Sequence, residues 1–335
     1  MIDVMDKVQI CLPVYNGANF IRETLETLVE QSYPNIEILV LDDASTDDTF
    51  ILLSELASLN PRIKLFRNDT NEGILFSRNR LFELADARFV ALADADDLFE
   101  ANRIEVQLSY LKKHDLGMVS CAYSAFGDRE FNFFPPEKHD EIHAYMLLYN
   151  VILNPGVMLD RERVSLADIK VNADYRGAAD YDCWIRLLTK TRVGCLPQKL
   201  VRYRIHSEQE SSDNFARQQD AHLRILAREY QTLGFSYDED ALKVLIWPHL
   251  YADRLSPRML KIVGKFVHSL FNEIEQSQLP AKKSLSFAID IRYKGISRRY
   301  AVKGLFLYLR FAGFKRLISG RNMGMSFVRD CLFRK

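Results

Sequence analysis

The sequence is poor in cysteine. Its five residues (Cys11, Cys121, Cys183, Cys195 and Cys331) are an odd number, widely spaced, with no C-x-x-C pair. That excludes a disulfide scaffold or a zinc knuckle and suits a reducing compartment. No apolar run approaches the roughly 18 residues that a spanning helix needs. The opening MIDVMDKVQICLPV carries two aspartates where a signal peptide would be basic and then apolar. A cytoplasmic protein is therefore expected. There is no G-x-G-x-x-G and no P-loop, which disfavours a dinucleotide site or an ATP γ-phosphate site. Net charge is also lacking, with 45 Lys and Arg against 45 Asp and Glu.

The neutrality is a sum of opposites. From Ala281 onward fourteen Lys and Arg face only Asp290 and Asp330, a net +12, so residues 1–280 carry −12. Such asymmetry points to a polyanionic partner for the basic end, nucleic acid or an anionic membrane surface. A chain of 335 residues that is 48% hydrophobic and 27% charged is neither disordered nor fibrous. It has room for about two domains.

The first hundred residues alternate between strand and helix patterns. Residues 8–14, 36–41, 63–66 and 89–93 read as short, nearly continuous apolar strands. Ile21, Leu25, Leu28 and Val29 keep a helical period between the first two. Residues 46–59 and 73–85 read as helices, and Asn102 caps another that carries Ile104, Leu108 and Leu111 on one face. This order predicts an α/β fold with a mostly parallel sheet covered by helices on both faces. A TIM barrel would need more regular repeats after Leu116. Farther on, 118–122 reads as a strand, 131–140 (FNFFPPEKHD) as a loop, 143–149 and 181–189 as helices, and 193–205 as extended. Helical patterns dominate after about Ser212, giving an expected catalytic or binding domain over 1–211 and a mainly helical region over 212–335.

Ligands of such sheets bind at the carboxyl ends of the strands. Pro13-Val14-Tyr15-Asn16-Gly17, Asp42-Asp43-Ala44-Ser45 and Asp94-Ala95-Asp96-Asp97 each close one of the strands. An acidic pair at one strand end is often a helix cap, and Asp94-Ala-Asp96 alone could be a solvated turn. Three clusters on one edge are harder to obtain by chance. Alternating carboxylates are hard oxygen ligands suited to magnesium or manganese shared with a diphosphate. Asp43 could accept a hydrogen bond from a base, and Tyr15 could stack on it.

PVYNG, LDDASTD, NEG followed by SRN, and DADD together resemble family 2 glycosyltransferases, nucleotide-sugar enzymes of GT-A fold, over about residues 8–206. The resemblance implies a Rossmann-like catalytic domain. In it Pro13, Tyr15 and Asp43, with Val14 and Asn16 beside them, hold a nucleoside, most often uridine. Asn71, Gly73, Arg78 and Asn79 line the nucleotide side. Asp94, with Ala95, meets the ribose, and Asp96 meets the metal-diphosphate, with Mn2+ or Mg2+ as the cofactor. Ala44 replaces the usual Gly of DDGS. Asp180-Tyr-Asp182-Cys-Trp184-Ile-Arg186-Leu resembles the segment whose Asp deprotonates the acceptor, with Ala179 where a Glu commonly stands. Asp180 is the expected base and Asp182 its rival; by itself Asp180 could simply cap a helix. The family often places a His near metal or phosphate, which makes His206 a second candidate metal ligand. Asn154-Pro155-Gly156 borders the acceptor by position only.

The implied reaction is an inverting transfer from a nucleotide diphosphate sugar, most often UDP-linked, to a glycan or lipid-linked saccharide, as in surface polysaccharide synthesis. The alternative is a non-catalytic nucleotide-sugar or carbohydrate-binding protein of the same fold. In the tail, a helical projection of 299–317 sets Val302, Leu305, Phe306 and Leu309 opposite Arg299, Lys303 and Arg310, with Lys315 and Arg316 off the pattern. That is an amphipathic basic helix suited to an anionic membrane surface, on the inner face of the cytoplasmic membrane. It could equally dock its apolar side on the catalytic domain. Nucleic acid is not expected, since no recognition motif accompanies the charge.

Overall fold

A computed structural model describes residues 5–207, 215–251, 256–312, 327 and 331, the side chains of 300–302 excepted. Tertiary contacts divide the chain into two compact units. One comprises Met1–Ile142 with Asn150–His222, the other His143–Tyr149 with Leu223–Lys335. The sequence reading placed the division near 212; here it falls at His222, and the short segment 143–149 belongs with the second unit.

In the first unit the elements run β1 (Val8–Val14), α1 (Ile21–Val29), β2 (Ile36–Asp42), α2 (Thr49–Leu59), β3 (Ile63–Arg67), α3 (Ile74–Leu84), β4 (Phe89–Leu92), β5 (Leu98–Phe99), α4 (Arg103–Lys113) and β6 (Met118–Gly127). There follow β7 (Phe131–Phe133), α5 (His139–Met146, from His143 on in the second unit), β8 (Met158–Asp160), α6 (Leu166–Ile169), α7 (Ala179–Leu187) and β9 (Val193–Ile205). Among the described residues the strands form one sheet in the order β3-β2-β1-β4-β8-β6-β9-β5, with β7 on β6. The β3-β2-β1-β4 half is parallel, β8 runs antiparallel to both neighbours, and β6 and β9 are parallel to each other. The mixed, mostly helix-covered sheet agrees with the expected class.

All of β1 is buried, as its unbroken apolar run requires. The exception in type, Gln9, accepts from the backbone N–H groups of Asp86 and Ala87 and donates to Glu37 and Asp86, so its burial is fully compensated. Pro13 lies in a central strand that would normally refuse it, because proline offers no ladder donor. It is tolerated because β4 pairs with β1 only as far as Cys11, opposite Leu92. The strand order reverses about β1, with β2 on one side and β4 on the other, which opens a crevice at their carboxyl ends.

Several local expectations change. Residues 131–133 are a strand, not loop: β7 pairs Phe133 with Tyr123 and Phe131 with Ala125, and the Tyr123 and Phe133 rings lie 5.3 Å apart. The period-2 signal was hidden by the FNFF run. Asn102 stands at the N-cap of α4 without a side-chain cap bond. The Ile104 N–H is instead met by Gln31 Oε1, just past the end of α1, at 3.0 Å, a long-range cap that no local pattern discloses. The helix expected at 143–149 is α5, shifted toward the N-terminus, and α7 starts two residues before the expected 181.

The second unit holds α8 (Phe215–Leu233), α9 (Glu239–Ile246), α10 (Pro257–Gln276), α11 (Lys282–Ser297) and α12 (Ala301–Phe311), α8 beginning in the first unit. Gly264 on α10 sits so close to α11 and α12 that a Cβ would run into the Tyr293 hydroxyl and the Phe311 ring. Asp290 is buried, paired with Lys294 at 2.7 Å and accepting from the Tyr308 hydroxyl. The face of α12 differs from the projection. Gly304, Tyr308 and Ala312 are buried where α12 packs with α10 and α11, Leu305 and Leu309 are half-buried, and Phe306 is 69% exposed. Lys315 and Arg316 lie outside the described residues. No helix among the described residues is long and apolar enough to cross a membrane.

Candidate active site

The parallel register carries the three polar clusters to one edge. Val14 pairs with Asp42, the Asp43 N–H donates to Val14 O at 2.8 Å, and the Ala93 N–H donates to Cys11 O at 3.0 Å. The first two turns interlock: the Asn16 N–H donates to Ser45 Oγ at 2.9 Å, and Asn16 Oδ1 accepts from the Thr46 N–H at 2.9 Å. Asn16 (φ 49°) and Ala44 (φ 57°) are both left-handed, a conformation tolerable for Asn and unfavourable for Ala. Tyr15 stands half exposed at the mouth of the crevice. Ala95 is held from below, its carbonyl accepting from Thr24 Oγ1 at 2.9 Å.

Asp43 is 2% exposed and organises the loop between β3 and α3. It accepts from Asn68 Nδ2 (2.6 Å), Glu72 N (3.0 Å) and Gly73 N (2.7 Å). With three of its acceptor positions used, one remains for a base N–H. Gly73 has φ 88° and shares its N–H with Asn71 Oδ1 at 3.0 Å, so Asn71 and Asp43 shape the same turn. Asn79 does something else: its amide clamps the Val171 backbone at both ends, at 3.1 and 2.9 Å. Both ends of the amide are thus committed to the segment leading toward α7 rather than to the nucleotide side.

Arg78, 8% exposed on α3, reaches Asp94 Oδ1 at 3.4 Å, and its positive charge also acts on Asp180. Burial raises the Asp94 carboxyl to about 6; Arg78 and the Asn154 amide (3.3 Å) oppose the rise, while Asp96 and Asp180 add to it. Asp97 is fully buried and held well above the usual carboxylate range by burial and then by Asp96 and Asp94. Its Oδ1 accepts from the Arg204 N–H at 2.9 Å. Asp96 Oδ2 lies 3.0 Å from His206 Nε2, and the His206 ring rests against Phe20 at 4.7 Å. Arg204 donates to the Asp96 carbonyl at 2.8 Å and to Glu23 at 2.6 Å.

Among the described residues no three His, Cys, Asp or Glu side chains converge as a self-sufficient metal site. The Asp96–His206 pair does suit an ion that takes one or two protein ligands and completes its shell with diphosphate oxygens and water.

Asp180 lies in the first turn of α7. Burial raises its carboxyl, opposed by Arg78, by nearby backbone N–H groups and by Asn150, whose Nδ2 donates to Oδ2 at 3.1 Å. Asp182 is 1% exposed and bound by Arg186 at 2.9 Å. Arg186 continues to the carbonyls of Asp168 and Lys170, at 3.1 Å each, so this pair staples α7 to the segment before it. The structure thus brings together Asp94, Asp96, Arg78, Asp180 and His206 and turns Asp182 inward. Asn150, Arg204 and Asp97 join the site without having been selected from the sequence. Only Asp97, the last residue of DADD, had a local signal; the other two act through long-range contacts.

Residues 9–168 match the model of glycosyl transferase family 2. An uncharacterized glycosyltransferase of Haemophilus influenzae is 32% identical over 224 residues, which are 61% of this chain and 67% of the relative. WfgD of Escherichia coli, a UDP-glucose:α-D-GlcNAc-diphosphoundecaprenol β-1,3-glucosyltransferase, is 27% identical over 68% of this chain and 85% of its own. In fold the chain resembles Staphylococcus aureus TarS bound to UDP-GlcNAc, with a TM-score of 0.61 at 16% identity, over 95% of this chain and 91% of that one.

Proposed function

The chain belongs to glycosyl transferase family 2, and from that premise we propose an inverting transfer of a sugar from a UDP-linked donor to a saccharide hydroxyl, on a lipid-linked acceptor at the inner membrane surface. The observation that carries the reading is Arg78, whose charge acts on both Asp94 and Asp180. One cation would thus link the carboxylate proposed for the donor with the one proposed for the acceptor.

Asp180 takes the proton of the attacking hydroxyl. Its raised carboxyl suits that role, because a base whose conjugate acid lies closer to neutral pH is a stronger proton acceptor. Asp43 accepts a base N–H, Tyr15 lies against the base, and Asp94 accepts from ribose. Asp96 and His206 would hold Mn2+ or Mg2+, and such an ion supplies compensation for charge on the departing diphosphate. Arg78 and Asn154 keep Asp94 oriented and largely ionised at neutral pH. Support for a UDP donor and a lipid-linked acceptor comes from the substrate that the name of WfgD states and from the nucleotide bound to TarS. The basic residues after Ala281 would keep the enzyme at the anionic surface where such an acceptor resides.

A panel of nucleotide sugars with Mn2+ and a saccharide-diphospholipid acceptor tests the reading. Turnover of one donor is expected, with Asp180→Asn slower by about a hundredfold or more. Nucleotide binding without turnover of any donor would favour the non-catalytic alternative. Unchanged nucleotide binding in Asp96→Ala would remove the metal-diphosphate assignment.

A further inference from the structure

Helices α11 and α12 pack against each other and against α10, and each keeps a narrow outward stripe. On α11 the stripe is Lys283, Phe287 and Ile291, at i, i+4 and i+8; on α12 it is Lys303, Phe306 and Arg310, at i, i+3 and i+7. Phe306 is 69% exposed, Phe287 45% and Ile291 37%. A large aromatic ring held in water one turn from a cation on either side is costly for a helix that merely closes a bundle, and α12 already has an inward face in Gly304, Tyr308 and Ala312.

Charge identifies the occupant. Residues 256–312 contain eleven Lys and Arg against Glu273, Glu275 and Asp290. Asp290 is buried on Lys294, and Glu273 is engaged by the Ser236 N–H and hydroxyl. Of the eleven, Arg258, Lys261 and Lys265 lie on the outward side of α10 together with His268. An apolar stripe inside a cationic field matches a bilayer with anionic headgroups, where aromatic rings settle at headgroup depth and cations remain above them.

We infer that α11 and α12 seat this protein on an anionic lipid surface by inserting Phe306 and Phe287 between headgroups, in addition to the attraction of their cations. The inference rests on the membrane part of the proposed function and is independent of the donor and of the base. Insertion adds an apolar contribution that salt does not screen, whereas each Lys or Arg near the surface contributes about fivefold to partitioning at low salt.

Sedimentation of the full chain with vesicles of phosphatidylcholine and phosphatidylserine tests it, with pure phosphatidylcholine as control. The parent protein should pellet with the anionic vesicles only. Phe287→Ser with Phe306→Ser should lose about tenfold or more in partitioning and retain the parent's circular dichroism, since both side chains are exposed. Lys303→Glu with Arg310→Glu should lose binding mainly at low salt. Full binding by the double serine variant would overturn insertion and leave a purely electrostatic attachment. Equal pelleting with pure phosphatidylcholine would overturn the anionic preference. Failure of the parent to bind either vesicle would overturn both the inference and the membrane part of the function, while donor turnover would still report on the catalytic reading.

Discussion

Asn150 Nδ2 donates to Oδ2 of Asp180 at 3.1 Å, while Asn150 Oδ1 is fixed by the Ile152 N–H at 3.0 Å. The amide cannot turn over without losing both bonds, so it presents a donor to the proposed base in one orientation. A donor to a carboxylate stabilises the charged form and opposes the upward push of burial. Removing it in Asn150→Ala should raise the Asp180 carboxyl further. Because the ionised form is the active one, turnover is lost as pH falls through that value, and the acid limb of kcat/KM should move to higher pH. A pH–rate profile checks this; an unmoved limb with a lower plateau would mean that Asn150 only supports the fold.

Asp94 gives the same linkage a stability readout. Its carboxyl rises from 3.8 to about 6 on folding, so the folded state holds a proton more tightly than the unfolded one. Stability therefore falls as pH rises from about 4 to about 6, and above that range the ionised group costs up to about 3 kcal/mol. Asp94→Asn should melt higher than the parent at pH 8, and the difference should vanish near pH 4. Thermal unfolding at the two pH values measures it. The same variant should bind UDP more weakly, which would show stability given up for function at this carboxylate.

The parallel half of the sheet was legible because VQICLPV and IEILVL are continuous apolar runs bounded by polar strand ends, and buried parallel strands have that composition. The strand-edge carboxylates followed from topology alone. What the sequence hid was whatever depends on distant partners: Gln31 capping α4, Asn79 holding Val171, and Asn150 meeting Asp180 across 30 positions. The α12 projection failed differently. A Gly and a Tyr, neither scored as strongly apolar, are buried in the bundle: Gly264 of α10 leaves room for α12 to come close, and Tyr308 finds Asp290 for its hydroxyl. Phe306 was thereby released to the outside.

Asp180 and Asp182 separate cleanly by experiment. Asp182 is enclosed and shares its charge with Arg186, which continues to two backbone carbonyls. Asp182→Asn should cost roughly 2 kcal/mol by leaving the arginine underpaired, and any loss of turnover should recover on cooling. Asp180→Asn should leave thermal stability unchanged or higher, because it removes a carboxylate whose ionised form burial disfavours, and yet slow transfer by about a hundredfold or more. Chemical denaturation beside a turnover assay distinguishes the two. A reversed pattern, with Asp182→Asn stable and inactive, would move the base to Asp182.

Ala44 occupies the position where the family's usual glycine would stand, and its φ of 57° shows what that glycine is for. The left-handed turn lets Ser45 meet the Asn16 N–H and lets Asp42 accept from the Ser45 N–H, at 3.3 to 3.4 Å. An alanine there suffers the contact between its Cβ and the neighbouring carbonyl, roughly 1–2 kcal/mol. Ala44→Gly would relieve that strain and in return widen the unfolded ensemble, at a cost of roughly 0.4–1 kcal/mol. The balance predicts a gain of about 0.5–1 kcal/mol, seen as a melting temperature raised by a few degrees. Nucleotide affinity should stay the same, since the turn geometry is already that of the glycine. A fall in melting temperature would mean that the native backbone relaxes away from φ 57°, and with it the interlocked turns that place Asp43 beside Tyr15.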